Sequence, residues 1–202
     1  MPAIEQPKID YSAQTDEQLV ALCKKGDELA FQDLMNRYVG QVFNFLRQYT
    51  RGSEDTEDIA QDTFFKAWRH IKKFETGRQF RPWLFTIARN TALDFIKKRK
   101  AVNFSDLDDA ETEISFADTL ADPEPLPPEI FENAELANIL SANLKLLHPD
   151  HVAVLTLHYR EDMTFDEIAI VMNRPMNTVK SWHRRAVERL RDLLAPHLSP
   201  LS

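Results

Sequence analysis

From Thr15 onward, apolar residues recur every three or four positions, the spacing of one face of an α-helix. Leu19, Leu22 and Cys23 make a first short face, opened by Thr15 and Gln18, which fit a capping box. Gly26-Asp27 breaks that helix and caps the next. There Phe31, Leu34, Met35, Tyr38, Val42, Phe45, Leu46 and Tyr49 carry an apolar stripe up to Arg51-Gly52. Ser53 is placed to cap a third helix, acidic in its first turn and running to about His70. A looser stretch, KKFETGRQF, leads to Arg81-Pro82. Proline suits the first turn of a fourth helix, which carries Trp83, Leu84, Ile87, Ala88 and Phe95 and ends in Lys97-Lys98-Arg99-Lys100. Helical spacing resumes near Ile130 and lasts to about Leu194, and no stretch alternates convincingly with the period of a strand. The pattern predicts an all-α chain in two small helical domains.

The last part of the pattern is more specific. Thr164 and Glu167 form a second capping box, opening a short helix through Ile168, Ala169 and Met172. Asn173-Arg174-Pro175-Met176 reads as a turn, after which Asn177 or Thr178 can cap a following helix. In that helix Val179, Ala186, Leu190 and Leu194 face inward, so Lys180, Ser181, Arg184 and Arg185 project on the other side. A short helix, a tight turn and a second helix with cations outward is the helix-turn-helix arrangement. Its arginines and lysine can donate to guanine edges or hold phosphates. A lone basic helix could be a solvated face; the capped helix and turn before it favour DNA. Trp182 and His183 sit at the edge of the apolar stripe, so one of the two turns inward.

Charge sharpens the division of the chain. The net charge of −7 hides 17 basic against 14 acidic residues in 1–100, and 8 against 9 in 130–202. Between them, residues 101–129 hold nine acids, no Lys or Arg, and Pro123, Pro125, Pro127 and Pro128. That segment reads as a linker. The expected organisation is a flexible N-terminus at 1–14, a helical domain over 15–100, an acidic linker over 101–129, a C-terminal domain over 130–196 and a tail over 197–202. Overall pI therefore says little about what the flanks bind.

Residues 68–100 interleave Trp68, Phe74, Phe80, Trp83, Phe85 and Phe95 with ten cationic side chains, opposed only by Glu75 and Asp94. Rings that stack on bases and cations that follow phosphates are what unstacked single-stranded nucleic acid requires. Helical spacing accounts for Trp68, Leu84, Ile87 and Phe95 as core, but less readily for the loop from Phe74 to Arg81.

Other chemistries find little support. The four glycines make no phosphate loop, the lone Cys23 no internal disulfide, and no run is a signal peptide or reaches membrane-spanning length. The plain expectation is a cytoplasmic protein without membrane insertion. His148, His151 and His158 can share a helical face, but no Cys or further ligand accompanies them, and His148-Pro149-Asp150 has the form of a helix start. No metal, no cofactor and no catalytic residues are expected, since no nucleophile–base constellation stands out.

The segments GDELAFQDLMNRY, EDIAQDTFFKAW, FRPWLFTIARNTALDFIKKR and MTFDEIAIVMNRPMNTVKSWHRRAVERL, in this order, resemble the extracytoplasmic-function group of the sigma-70 family of bacterial RNA polymerase sigma factors. The likeness covers about residues 15–100 and 130–195. It implies an alternative sigma factor that binds core RNA polymerase, recognises −35 and −10 promoter elements and promotes DNA opening. Core contacts would include the clamp helices of the largest subunit and the flap of the second largest, and an anti-sigma factor is an expected partner. Carried over residue by residue, Asp58, Gln61, Asp62 and Phe65 would contact the polymerase. Phe74, Phe80, Arg81, Trp83 and Asn90 would serve the −10 element, and Lys180, Ser181, Arg184 and Arg185 the −35 element. The resemblance also implies a linker that threads the polymerase's nucleic-acid channel. Two departures bear on −35 contacts: Trp182-His183 stands where the family usually has a basic and an aliphatic residue, and Asn177 replaces a frequent Gly. A stand-alone helix-turn-helix regulator would leave the helix Glu57–Trp68 unexplained. A polymerase-binding adaptor without DNA specificity would leave the recognition helix unexplained.

Overall fold

The computed structural model describes residues 9–50, 55–102 and 134–198. Eight α-helices are seen among them: α1 (Asp16–Lys24), α2 (Glu28–Thr50), α3 (Asp55–His70), α4 (Phe80–Val102), α5 (Ala134–Leu144), α6 (Pro149–Leu155), α7 (Phe165–Met172) and α8 (Met176–Leu198). No strand occurs among the described residues.

Local chemistry sets most of the boundaries. Thr15 closes the expected capping box with Gln18, and Asp27 accepts from the Ala30 N–H to start α2 after Gly26 turns the chain at φ +93°. His148 caps α6 through Nδ1, which accepts from the Asp150 N–H at 3.2 Å, with Pro149 at the first helical position. Thr164 and Glu167 cap α7 reciprocally.

Some boundaries differ from expectation. Recognition helix α8 begins at Met176, so Asn177 and Thr178 lie inside it; the Thr178 N–H donates to the Pro175 carbonyl at 2.9 Å. Pro175 has no N–H to satisfy, which makes it a workable lead-in. Helix α4 continues to Val102 and α8 to Leu198, past the limits of 100 and 196 expected for their domains. The N-terminal segment expected to be flexible is held from Tyr11 onward: the Tyr11 hydroxyl donates to Asp27, and Arg37 donates to the Tyr11 and Ser12 carbonyls. Residues 1–8, the Ser53 cap, the linker from 103 and the tail from 199 lie outside the described residues.

Helices α1 to α4 pack around Leu34, Val42, Phe45, Leu46, Ile59, Phe64, Leu84, Phe85 and Ala88. Cys23 is buried here, its thiol pushed up to about 11 by burial and then by the Asp27 charge, which leaves it an inert core residue. This apolar cluster continues without a break into Val154, Leu157, Ile168, Val171 and Met172. A second, smaller cluster holds α8 against α5 and α6 through Leu140, Leu155, Ala186, Val187, Leu190 and Leu194. Helix α4 lies directly against α7. The two halves therefore share a core.

Candidate nucleic-acid and partner interfaces

On α3, burial of Ile59, Ala60, Thr63, Phe64 and Ala67 turns the opposite face to solvent. Asp58, Gln61, Asp62 and Phe65 stand together there, at i, i+3, i+4 and i+7. Phe65 is 58% exposed, an unusual position for a large ring, and the Arg69 guanidinium lies 5.6 Å from its centre. Asp62 is bridged by Lys66 at 2.9 Å, and Lys66 also donates to the Thr91 hydroxyl of α4. The surface carries two carboxylates, is flanked by Lys66 and Arg69, and is built around one uncovered aromatic.

The residues around the loop before α4 are brought together differently from the expectation. Phe74 and Phe80 are buried, and with Trp83 they close an aromatic triangle with ring centres 5.0–6.1 Å apart. Phe80 also packs on Tyr38. These two phenylalanines support the loop from beneath and offer no free face on which a base could stack. Between them Glu75, Thr76, Gly77, Arg78 and Gln79 are exposed, and Gly77 takes φ +92°, a conformation that favours glycine.

At about 100° per residue, Trp83 and Asn90 fall within about 20° of each other around α4. Trp83 is half-buried and Asn90 exposed, so an aromatic edge and an amide share one accessible side. Arg81 falls about 180° from Asn90 and faces the C-terminal half, where its Nη2 donates to Glu161 Oε2 at 2.8 Å. The structure thus separates Arg81 from the Trp83–Asn90 side.

In α8, Val179, Ala186, Leu190 and Leu194 are fully buried, as the apolar stripe requires. His183 is the residue that turns inward; Trp182 is half-buried, with its ring 6.0 Å from that of His151. Asn173 ends α7 in the left-handed conformation, φ +49°, which Asn tolerates better than most residues. Lys180, Ser181, Arg184 and Arg185 all come out half-buried rather than freely projecting. Lys180 Nζ lies 5.7 Å over the Phe165 ring, and the Arg184 side chain is only 16% exposed beside Glu188.

Among the described residues no three His, Cys, Asp or Glu side chains form a metal-holding group. Burial, with the nearby His148 and Arg185 charges, holds the His151 pKa below its ordinary value.

Several polar residues at the junction of the halves were not apparent as a group in the sequence. Arg89 donates to Asp150 at 3.2 Å, the Tyr49 hydroxyl donates to the same carboxylate at 3.4 Å, and the Thr156 hydroxyl donates to Gln48 at 3.3 Å. Burial, followed by the Asp150 charge, pushes the Tyr49 hydroxyl well above its usual range. The partners lie 61 to 108 residues apart, so no local spacing could have signalled them.

Two packed helical units make up the fold, and the second presents a cationic recognition helix after a short helix and a tight turn, the helix-turn-helix arrangement. The family model Sigma-70 region 2 matches residues 34–102, and Sigma-70, region 4 matches residues 140–190. The chain is 32% identical over 173 residues to the ECF RNA polymerase sigma factor SigW of Bacillus subtilis, covering 85% of this chain and 92% of SigW. It is 33% identical to the ECF RNA polymerase sigma-E factor of Escherichia coli, covering 90% and 95% of the two chains. The solved structure of CnrH in complex with the cytosolic domain of CnrY is similar at a TM-score of 0.62 and 25% identity, over 91% of this chain and 99% of that one. The chain belongs to the extracytoplasmic-function sigma factors of RNA polymerase. It is an alternative sigma factor.

Proposed function

We propose that this sigma factor engages core RNA polymerase through the Asp58, Gln61, Asp62 and Phe65 face of α3, and promoter DNA through two separate surfaces. The Trp83–Asn90 side of α4, with the exposed loop before it, would take unstacked bases of the −10 element. Asn90 presents both a donor and an acceptor to a base edge. Phe74 and Phe80 hold that loop in place, while Arg81 would reach DNA only after leaving Glu161. Lys180, Ser181, Arg184 and Arg185 would engage the −35 element in the major groove, with Arg and Lys able to donate to guanine. The polymerase clamp and flap are the expected contacts, and an anti-sigma factor is an expected partner; CnrH, to which this chain is similar, is solved in complex with the cytosolic domain of CnrY. The chemistry of RNA synthesis belongs to the polymerase, and the protein would work in the cytoplasm; no helix among the described residues is long and apolar enough to cross a membrane.

The observation that carries the assignment is the uncovered Phe65 beside three polar residues on α3, in a chain that also bears a helix-turn-helix. A stand-alone regulator has no use for that face. Phe65→Ala should weaken binding of the labelled protein to purified core polymerase at least tenfold, the order expected for an exposed aromatic anchor. Its melting temperature should not change. Unaltered core affinity would remove this face from the polymerase interface.

A further inference from the structure

Helix α1 carries none of the residues assigned above to polymerase or DNA, and it lies ahead of the span matched by the region 2 model. It nonetheless reaches the loop before α4 from both of its ends. At the C-terminal end, Lys24 Nζ donates to the Thr76 hydroxyl at 3.3 Å and sits 6.0 Å from the centre of the Phe74 ring. At the N-terminal end, Asp16 accepts from the Tyr38 hydroxyl, and the Tyr38 ring packs on Phe80. Asp16 is itself held by Arg37 at 3.0 Å, and Arg37 also bridges to Asp33. The two buried phenylalanines that bound the loop, and its tip, are thus all braced from one helix.

The ties within the loop are weak. Glu75 and Arg78 pair at 2.7 Å, but 68% and 65% of their side chains are exposed, where water screens the attraction. The Arg78 N–H donates to the Glu75 carbonyl at a long 3.3 Å. Gly77 stands in open space, since a Cβ built on it would meet nothing within 4 Å, so packing does not fix the tip. Among the described residues, the hydrogen bond from Lys24 is the one that reaches the loop from another helix.

We infer that Lys24 is a positioning residue for −10 recognition, holding the loop 75–79 in the shape against which a base beside Trp83 and Asn90 is selected. This rests on the assignment of that side of α4, with its loop, to the −10 element. An ammonium carries three donors, so one can satisfy Thr76 while the charge faces the Phe74 ring. Lys24 stands in the last turn of α1, where the negative end of the helix favours a cation and steadies the side chain. A site on a loop is held less precisely than one on a helix, so a support outside the loop decides how sharply it discriminates. Lys24 touches no base in this role; it acts through Thr76 and Phe74.

The test uses the full chain with core polymerase on a genomic promoter that the parent protein transcribes, alongside templates carrying each single-base substitution in its −10 element. Discrimination is the ratio of run-off yield on the parent promoter to that on each substituted template. Lys24→Met keeps the apolar stem and removes the ammonium; it should cut discrimination several-fold, while core affinity, −35 duplex affinity and melting temperature stay at the parent values. Lys24→Arg, which restores a cationic donor, should recover most of the loss. Thr76→Val should also lower discrimination, and the double variant should lose no more than the worse of the two single variants. Unchanged discrimination in Lys24→Met overturns the inference, as do additive losses in the double variant. A uniform fall on every template with a flatter salt dependence overturns it too, since Lys24 would then be holding a phosphate. Asn90→Ala, measured in parallel, separates the two possible failures. Altered discrimination there with none in Lys24→Met overturns the role of Lys24 alone, whereas no change in either overturns the −10 assignment with it.

Discussion

His183 Nε2 lies 3.1 Å from the Tyr159 hydroxyl, which ties the middle of the recognition helix to the turn that precedes the helix-turn-helix. The imidazole is 4% exposed and packs against the rings of His158, Phe165 and Tyr159 at 5.2–5.5 Å. The turn itself is π-helical, a conformation that appears mostly as isolated insertions, often near functional sites. It presents His158 and Tyr159, adjacent in sequence, to the same buried ring. A polar group set inside an apolar stripe in this way orients α8 as well as stabilising it.

His183→Ala should cost roughly 2–4 kcal/mol, the range for deleting a large, well-packed buried side chain. Urea denaturation of the full chain measures it. Duplex −35 binding should fall as well. A loss below about 0.5 kcal/mol would mean that the ring is not part of the packing that fixes α8.

Arg185→Ala and Asn90→Ala should separate the two DNA functions. The first should weaken binding to a −35 duplex by about 1–3 kcal/mol if Arg185 reads a base, or flatten the salt dependence for all sequences if it holds phosphate. The second should leave duplex affinity intact while reducing permanganate reactivity of melted thymines in the polymerase complex. Equal defects in both assays for either variant would contradict the assignment of separate surfaces.

Stability should also depend on His151. Its folded pKa is depressed, chiefly by burial, so below its ordinary value the unfolded chain takes up the proton more readily than the folded one. Stability tied to this group is present above about pH 6.5 and declines as pH falls through the window between that value and the lower folded pKa. His151→Phe keeps a ring against Trp182 and does not titrate. Melting temperatures measured between pH 7.5 and 5 should fall less steeply for the variant; parallel curves would sink the idea.

How much of this was legible in the sequence follows from the range of each interaction. Both threonine capping boxes, the His148-Pro149 start and the inward stripe of α8 depend on residues within one or two turns, and local spacing reveals them. Phe74 and Phe80 misled because an aromatic, basic loop has the composition of a stacking surface; only the fold shows both rings closed against Trp83. The choice between Trp182 and His183 depended on Tyr159, a partner 24 residues from His183. Arg81 and Glu161, 80 residues apart, join through packing of the two halves, which no periodicity encodes.

The central claim is that this chain gives core polymerase its promoter specificity, and multiple-template run-off transcription with purified core tests it most directly. A mixture of genomic promoter fragments would be transcribed with core alone, with core plus this protein, and with core plus Phe65→Ala. Discrete run-off products that appear only with the intact protein, and fade with the variant, are the predicted result. An unchanged product pattern on adding the protein, despite its binding duplex DNA unaided, would contradict the account and leave a stand-alone helix-turn-helix regulator in its place.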